Sequence, residues 1–265
     1  MNALSSHTSN EIVLLRNDQA GVATLTLNRP KQYNALSDAL LDALSRELNQ
    51  IADDNSIRVV VIAGAGKAFC AGHDLKEMRA KYDLTSSEAL FRKCSDLMIN
   101  ITRLPQPAIA KVHGMATAAG CQLVAQCDLA VCSDNATFAT SGVNLGLFCS
   151  TPGVALARNL PRKQALEMLL TGDFIDAQTA LQRGLVNRVT PLETLDQVVG
   201  EVTRSIMAKP ANVIALGKKL FYEQMETGLQ QAYEKASMTM ACNFMLAEAA
   251  EGVDAFMQKR KPEWE

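Results

Sequence analysis

Two loops rich in glycine and alanine are the parts of this sequence best suited to chemistry. They span residues 64–77 and 113–122, and each follows an apolar run typical of a buried strand. Small side chains let a ligand come close to backbone N–H groups, and a turn that opens a helix leaves such groups unpaired at the positive end of the helix dipole. Two N–H groups from separate loops would stabilise a developing oxyanion. The alternative is that both loops are only tight connections between strands and helices.

Neither loop fits a nucleotide-binding motif. Gly64 and Gly66 supply two glycines of a dinucleotide fingerprint, but Phe69 stands where the third should be. A phosphate-binding loop fails as well, because Val61 occupies its first glycine position and Ala68 stands where serine or threonine is required. The two loops therefore predict a ligand other than a nucleotide bound through one of these motifs.

The apolar patterns around the loops predict strands that alternate with helices. Continuous apolar runs suit strands buried on both faces, and the helical patterns between them imply crossover connections in a mostly parallel sheet. We predict strands at residues 11–16, 22–27, 59–63, 108–112 and 129–132. Helices are predicted after the capping residue Ser37 and at residues 86–102, 119–126, 163–170, 177–183, 192–207, 211–227 and 229–258. The strand-poor end of the chain indicates a helical region that begins near residue 200.

Composition narrows the class of protein. Of the 265 residues, 48% are hydrophobic and 20% are charged, which indicates one large α/β unit with an appendage. A net charge of −2 and an aromatic content of 5% give no reason to expect nucleic acid as a partner. The sequence contains no run of 18 uncharged apolar residues, so no membrane span is predicted. Seven cysteines without a CxxC pair argue against a metal site and for a reducing compartment, and residues 1–13 lack a secretory signal. We expect a cytoplasmic protein or a processed mitochondrial form.

The segment from Ala68 to Met78, together with residues 112–123, resembles the two signatures of the crotonase superfamily, the enoyl-CoA hydratase/isomerase family. The resemblance extends in order over nearly the whole chain, at residues 27–36, 171–186 and 256–262. It implies an α/β crotonase (ClpP-like) fold, in which residues 1–200 form a spiral core of β-β-α units and residues 201–265 form a helical region that makes trimer contacts. Trimers of this family often pair into hexamers. Within the family, the chain most resembles the subgroup called enoyl-CoA hydratase domain-containing protein 3.

The resemblance also implies a site. Members of the family bind acyl-CoA thioesters and stabilise a thioester enolate through two backbone N–H groups. Carried over position by position, the two donors here would be the N–H groups of His73 and Ala119. The other residues that the resemblance places around the acyl-CoA are Lys31, Gln32, Ala71, Gly72, Asp74, Leu75, Lys76, Gly120, Gly142 and Lys259. Coenzyme A would be part of the substrate, and neither a separate cofactor nor a metal is implied.

The sequence departs from the family pattern where hydratases carry two catalytic glutamates. Gln122 stands at the first position and Gly142 at the second, so both carboxylates are missing. A glutamine amide can orient water but cannot act as a general base, and glycine offers only its backbone. The deficit is wide, because no glutamate occurs between Glu88 and Glu167. Efficient hydration is therefore doubtful, and we expect Gln122 to act as a polar pocket residue or to serve packing alone.

Three other side chains have competing interpretations. The His73 imidazole could transfer a proton, although the family role of this residue lies in its backbone. Cys149 could be a nucleophile, but no second histidine is placed as its base, which favours a packing thiol. Asp128 stands at a predicted strand start, where a structural capping role is the favoured interpretation.

Taken together, the residues and the resemblance predict an acyl-CoA-binding enzyme of fatty acyl-CoA metabolism. Its reaction would need only enolate stabilisation, as in isomerisation, thioester hydrolysis or very slow hydration. The competing hypothesis is a non-catalytic acyl-CoA-binding protein that has lost its acids. Glycine at positions 72 and 120 favours retained binding, on the reasoning that ligand contact alone excludes larger residues there. The expected partners are an acyl-CoA thioester and further copies of the chain, without nucleic acid or membrane insertion.

Overall fold

The computed structural model describes residues 12–264, which form a mixed α/β fold. Ten strands are present in the described chain, in the order β1 (Leu14–Gln19), β2 (Val22–Leu27), β3 (Val59–Gly64), β4 (Ala68–Cys70), β5 (Ala108–Val112), β6 (Met115–Thr117), β7 (Leu129–Ser133), β8 (Thr137–Ala139), β9 (Ile175–Asp176) and β10 (Arg188–Thr190). The predicted start of the first strand at Glu11, and the expectation about a signal in the first residues up to position 11, lie outside the described residues.

The same residues contain eleven α-helices, in the order α1 (Asp38–Ala52), α2 (Leu75–Ala80), α3 (Leu84–Arg103), α4 (Ala119–Gln126), α5 (Ser150–Asn159), α6 (Arg162–Thr171), α7 (Ala177–Arg183), α8 (Leu195–Met207), α9 (Ala211–Met225), α10 (Leu229–Phe244) and α11 (Ala247–Met257). Short 3₁₀ turns lie at Pro30–Gln32, Ser141–Leu145 and Leu192–Thr194. The pattern predicted as one helix over residues 229–258 is therefore two helices. Helix α10 ends at Phe244 with Met245 as its C-cap, and Leu246 adopts an extended conformation before α11 begins.

The strands form two sheets that the chain visits in turn. One has the order β1-β2-β3-β5-β7-β10 and the other β4-β6-β8-β9. All pairs are parallel except β1 with β2 and β8 with β9. Three successive pairs, β3 with β4, β5 with β6 and β7 with β8, each place one strand in the first sheet and the next in the second, and helices connect one pair to the next. This repetition confirms the predicted spiral of β-β-α units.

Local sequence accounts for the first elements. Gln19 pairs with Val22 across a two-residue turn, and Ala20 and Gly21 both have positive φ angles, the geometry that matches the twist of a hairpin. The Ser37 hydroxyl accepts a hydrogen bond of 3.2 Å from the Leu40 amide, so it caps α1 as predicted. The spacing of leucines in α1 buries one face of that helix against the sheet.

A second apolar cluster covers the other face of the first sheet. Val59, Ile109 and Val131 of β3, β5 and β7 pack there against α8. Val199 and Val202 of α8 belong to the same cluster, and they flank the predicted division between residues 200 and 201. The helix thus packs on the sheet as one piece, and the division into a core and a C-terminal region stays a prediction.

Candidate active site

The two small-residue loops contact each other directly. One joins β4 to α2 and the other joins β6 to α4. A methyl group built on Gly120 would collide with the Cys70 carbonyl, and one on Gly72 would lie 2.9 Å from the Ala118 Cβ and 3.2 Å from the Ala119 nitrogen. Gly72 also has a φ of +91°, which favours glycine. Backbone packing therefore already requires both glycines, so the expectation that ligand contact alone keeps them small is wrong.

The predicted oxyanion donors lie on these contacting loops. Leu36 forms backbone hydrogen bonds with the two residues that flank His73. The Leu36 amide donates to Gly72 O at 2.7 Å, and the Leu36 carbonyl accepts from the Asp74 amide at 3.2 Å. The His73 N–H therefore points away from Leu36. Ala119 is the first residue of α4, where a helix leaves its amides unpaired. Within residues 12–264, neither amide donates a hydrogen bond. Two free N–H donors thus stand beside the contact between Gly72 and Ala119.

Ala118 holds the second donor in place at a local cost. Its φ of 51° and ψ of −120° lie in a region that side-chain-bearing residues rarely adopt. Its amide donates to Ala139 O at 2.9 Å, and its carbonyl accepts from Gln122 N at 3.0 Å. These two bonds fix the peptide between Ala118 and Ala119 against the end of β8. The strain is of the kind that surrounding structure maintains at functional sites.

Hydrogen bonds from Asn34 and an ion pair with Arg29 hold the first loop in place, and the sequence analysis assigned neither residue a role. Asn34, fully buried, donates to Ala65 O and Ala68 O at 2.8 Å each and accepts from the Arg29 amide. Arg29 in turn forms an ion pair of 2.9 Å with Asp74. The available signal was the family resemblance at residues 27–36, which contains both Arg29 and Asn34.

Asp74 is committed to structure. Besides the Arg29 pair, its carboxylate accepts from the Lys76 and Glu77 amides and so caps α2. Burial opposes ionisation, but the hydrogen bond from Arg29 and the α2 amides together lower the pKa of Asp74 below its ordinary value. The carboxylate is therefore ionised and paired, and is poorly placed to act as a base.

Three side chains near the amides have buried polar atoms without partners. These atoms are Oε1 of Gln122, Oγ1 of Thr140 and both ring nitrogens of His73, and none has a hydrogen bond within the described chain. Gln122 is 3% exposed and Thr140 is fully buried. All three residues adjoin the Ala118–Ala119 corner, because Gln122 N bonds to Ala118 O, Thr140 follows Ala139, and His73 follows Gly72. Buried polar atoms are nearly always satisfied, so unpaired atoms on three residues that adjoin this corner are unusual.

The His73 imidazole packs edge-on against Phe91 of α3, with ring centroids 5.4 Å apart. Burial lowers the pKa of His73 to about 4, so the ring is neutral at neutral pH. A base with so low a pKa is weak, although the ring can still donate or accept a hydrogen bond. The proton-transfer role considered for His73 stays a hypothesis.

The position of the second missing glutamate is closed. A methyl group on Gly142 would lie 2.5 Å from Leu147 O and 2.7 Å from the Cys149 sulfur. Cys149 is itself buried, and burial, only partly offset by a hydrogen bond from the Gly142 amide, raises the pKa of its thiol. A protonated, buried thiol fits the packing interpretation better than the nucleophilic one.

The remaining predicted ligand residues lie on the surface beside the first loop, except one. Lys31, Gln32, Leu75 and Lys76 are exposed, and the Ala71 amide donates to Tyr33 O at 2.9 Å, which joins the segment of Lys31 and Gln32 to the loop. Lys259 is also exposed, but it follows α11, and its amide bonds to Phe256 within that region. No hydrogen bond or ion pair joins Lys259 to the loops within the described chain. The roles of all these residues stay predictions.

Two cavities of the described chain lie elsewhere. A groove of about 710 Å³ is lined only by residues of α9 and α10, and a cleft of about 280 Å³ lies between α1, α2 and α3. Neither contains the two free amides. No helix among residues 12–264 is long and apolar enough to cross a membrane, and no three metal-ligating side chains cluster there.

Asp128 is structural, as favoured from the sequence. Its carboxylate accepts hydrogen bonds from the Ala108 amide at 2.6 Å, from Lys218 at 2.7 Å and from the Tyr222 hydroxyl at 2.8 Å. It therefore joins the starts of β5 and β7 to helix α9.

The chain is similar in sequence and structure to known proteins. A family model described as enoyl-CoA hydratase/isomerase matches residues 17–265. The protein of Xenopus laevis named "Enoyl-CoA hydratase domain-containing protein 3, mitochondrial" is 46% identical over 260 residues, which cover 98% of this chain and 88% of the relative. The crystal structure of human enoyl-CoA hydratase domain-containing protein 3 is 46% identical with a TM-score of 0.92, covering 95% of this chain and 100% of the other.

A crystal structure of an enoyl-CoA hydratase from Mycobacterium smegmatis is 57% identical with a TM-score of 0.94, covering 95% of this chain and 98% of the other. These similarities confirm the predicted crotonase fold and the predicted resemblance to the domain-containing protein 3 subgroup. With a family model matched from residue 17 to the end and relatives of this similarity, the chain belongs to the enoyl-CoA hydratase/isomerase family.

Proposed function

We propose that this protein is an acyl-CoA enzyme that stabilises a thioester enolate through the backbone N–H groups of His73 and Ala119. The observation that carries the proposal is the pair of unbonded amides on two contacting loops. Backbone donors held rigidly beside a reacting carbonyl stabilise the charge that develops on its oxygen, and loss of one such donor typically lowers kcat by about 10²–10³-fold. Coenzyme A enters as part of the substrate.

Efficient hydration of a double bond is not part of the proposal. Hydration needs a group that takes a proton from water, and the side chains at positions 122 and 142 provide no carboxylate. Closure of the space at Gly142 by Leu147 and Cys149 supports the same conclusion, because a side chain does not fit there without movement. Isomerisation and thioester hydrolysis remain within the proposed range.

A non-catalytic acyl-CoA-binding role is the second candidate. One observation favours this candidate. The two loops, at residues 68–75 and 115–122, contain a single carboxylate, that of Asp74, which is already paired with Arg29 and bonded to the amides of α2. Binding alone would need the amides and the exposed residues beside the first loop but no free base. Turnover distinguishes the two candidates, since both predict binding.

The test is calorimetric titration with butyryl-CoA, together with the carbonyl stretching frequency of the bound thioester. We expect one site per chain and a shift of the carbonyl band to lower frequency, since two N–H donors polarise the C=O bond. Ala119→Pro removes one donor at the first position of α4, where proline is tolerated, and should weaken binding and reduce the shift. Ala119→Gly keeps the donor and is the matched control, with thermal midpoints measured for both. No binding of butyryl-CoA at millimolar concentration would contradict the proposal.

The expected partners and compartment follow the relatives. We propose that copies of the chain assemble through the apolar surface of α9 and α10, as tested below. The vertebrate relatives are named as mitochondrial proteins, so a mitochondrial location is proposed beside the cytoplasmic one.

A further inference from the structure

The N–H group of His73 belongs to the same peptide group as the carbonyl of Gly72. A peptide group is planar, and in the trans form its C=O and N–H bonds point in opposite directions. The peptide groups of the described chain are trans. The Gly72 carbonyl accepts a hydrogen bond of 2.7 Å from the Leu36 amide, so this bond fixes the direction in which the His73 N–H points.

The Leu36 amide is oriented in the same way by the carbonyl of its own peptide group, which belongs to Ala35. That oxygen accepts a hydrogen bond of 2.6 Å from Nη1 of Arg29 and one of 3.0 Å from the Ser37 amide. A continuous chain of hydrogen bonds therefore runs from the Arg29 guanidinium through two peptide groups to the His73 N–H. Consecutive hydrogen bonds strengthen one another by about 10–30% for each bond, and a charged donor strengthens the first of them.

The second arm of the guanidinium holds the chain on the other side of His73. Nη2 of Arg29 donates to the Asp74 carboxylate at 2.9 Å, and the Asp74 amide donates to Leu36 O at 3.2 Å. The Arg29 and Asp74 side chains are largely buried, at 13% and 10% exposed. Arg29 thus spans the isolated backbone pairing of Leu36 with His73, because it bonds to the residue next to each of them.

Apolar packing does little to hold the segment that follows His73. Helix α2 has six residues, and none of them is buried. So short a helix is not stable alone in water, and it depends on its contacts with neighbouring elements. The Asp38 amide donates to the Glu77 carboxylate at 2.9 Å and so joins the middle of α2 to α1. The end of α2 that lies beside His73 is held by the ion pair of Arg29 with Asp74.

We propose that Arg29 is a positioning residue for the first oxyanion donor and acts on the His73 N–H through the two intervening peptide groups. The inference rests on the proposed function, because it requires that this N–H meets the thioester oxygen. It adds a residue that lies outside both small-residue loops and acts without contacting the thioester carbonyl. Without the guanidinium, the His73 N–H is less firmly directed and less polarised.

The experiment measures the isotope-edited infrared band of the butyryl-CoA carbonyl, bound at saturation to the 265-residue protein and to its variants. Arg29→Met removes the guanidinium at similar side-chain length. We expect butyryl-CoA to bind this variant about two- to tenfold more weakly, the effect of one neutral hydrogen bond, and its band to shift less than in the wild type. Arg29→Lys keeps the charge but lacks the planar fork that spans Ala35 and Asp74, so its band should lie between the two.

A second variant covers the case in which an unpaired Asp74 carboxylate weakens the fold. Arg29→Met combined with Asp74→Asn removes both charges, and asparagine still caps α2. The bonds from the Ala71 amide to Tyr33 O and from Asn34 to Ala68 O remain to hold the first loop. The band in this double variant should shift as little as in Arg29→Met.

Arg16→Met is the matched control. Arg16 is 23% exposed and forms ion pairs of 2.7 Å with Asp18 and 3.3 Å with Glu47, so it joins β1 to α1 rather than to either loop. Its loss should lower the thermal midpoint and leave the carbonyl band unchanged.

Three outcomes would contradict these expectations. If Arg29→Met and the double variant both show the wild-type band, the inference is overturned and the proposed function stands. The same conclusion follows if Arg16→Met changes the band as much as Arg29→Met does. If the wild type does not bind butyryl-CoA, or binds it without any shift of the band, the proposed function itself fails.

Discussion

Ala118 is the residue at which the backbone of the site is most strained. Its φ of 51° and ψ of −120° suit glycine, yet the position carries a methyl group. Such conformations cost about 1–3 kcal/mol for a residue with a side chain, and glycine removes most of that cost while adding about 0.5–1 kcal/mol of unfolded-state entropy.

We therefore predict that Ala118→Gly raises the free energy of unfolding by about 1 kcal/mol. Denaturant titration of the variant measures it. Ala89→Gly, on the exposed face of α3, is the control and should lower stability by about 0.5–1 kcal/mol, as glycine does in a helix. A loss of stability in Ala118→Gly as large as in the control would mean that the position is not strained.

At Gln122 and Gly142 the structure changes what the sequence predicts about restoring hydration. From sequence alone, glutamate at both positions together should raise the rate of crotonyl-CoA hydration. The structure places Leu147 O and the Cys149 sulfur within 2.7 Å of a Cβ at position 142. Glutamate therefore fits at position 122 but not at position 142 without displacing its neighbours.

We predict that wild-type protein hydrates crotonyl-CoA far more slowly than an enzyme with two glutamates, and that Gly142→Glu lowers stability by about 1–3 kcal/mol through overpacking. Gln122→Glu alone should raise the rate modestly, and the rise should grow with pH, because burial raises the pKa of a carboxyl group and keeps it protonated at neutral pH. Rates measured from pH 6 to 9, with a thermal midpoint for each variant, test both statements. Gln122→Leu is the control, and a wild-type rate equal to that of a two-glutamate enzyme would contradict the first statement.

A buried amine of helix α9 helps to join this helix to the core. The Lys218 ammonium donates to Asp128 at 2.7 Å and to the carbonyls of Ile101 and Gln106 at 2.9 Å each, and its side chain is 7% exposed. Burial lowers the pKa of Lys218, while the Asp128 carboxylate opposes that shift. Because Ile101 lies in the last turn of α3, the amine also satisfies a carbonyl that the helix leaves unpaired.

We predict that Lys218→Met destabilises the protein by about 3–5 kcal/mol, since it leaves the Asp128 charge and two carbonyls without their partner. Lys219→Met, next in sequence but 72% exposed, should change stability by less than about 0.5 kcal/mol. Denaturant titration of both variants, and of Asp128→Asn alone and combined with Lys218→Met, gives the coupling energy. Strictly additive losses would show that the two side chains do not act as a pair.

At the scale of the molecule, several large apolar side chains within residues 12–264 are exposed on the C-terminal helices. Met240, Phe244 and Met245 are 69%, 62% and 80% exposed, and the first two line the groove of about 710 Å³ between α9 and α10. Apolar patches of this kind mark association surfaces. The surface is therefore where we expect copies of the chain to meet.

We predict that the wild-type protein sediments as a trimer or hexamer and that Met240→Glu shifts it toward the monomer. A charge buried in an apolar interface without a partner is costly. Gln231→Glu adds the same charge to α10 outside the groove and should leave the assembly unchanged. Sedimentation velocity over a range of concentrations measures the oligomeric state of each protein, and a monomeric wild type would refute the prediction.

Much of the fold followed from the sequence because its signals are local. Continuous apolar runs predicted β3, β5 and β7, the cap at Ser37 predicted the start of α1, and the turn at Ala20 and Gly21 predicted a hairpin. The break between α10 and α11 was missed, since the apolar pattern runs through it and no proline or glycine marks it. The two candidate donors, His73 and Ala119, came from the family resemblance, which the matched family model supports.

The arrangement of the site was decided by tertiary contacts. The sequence determined that both hydratase glutamates are absent, because residue identity needs no structure. Only the folded chain determined that Gly72 packs against the Ala118 methyl group and Gly120 against the Cys70 carbonyl, and that Gly142 faces Leu147 and Cys149. These contacts join segments that are distant in the chain, and no local pattern specifies their distances. Which polar atoms remain unpaired in the site depends on all of those contacts together.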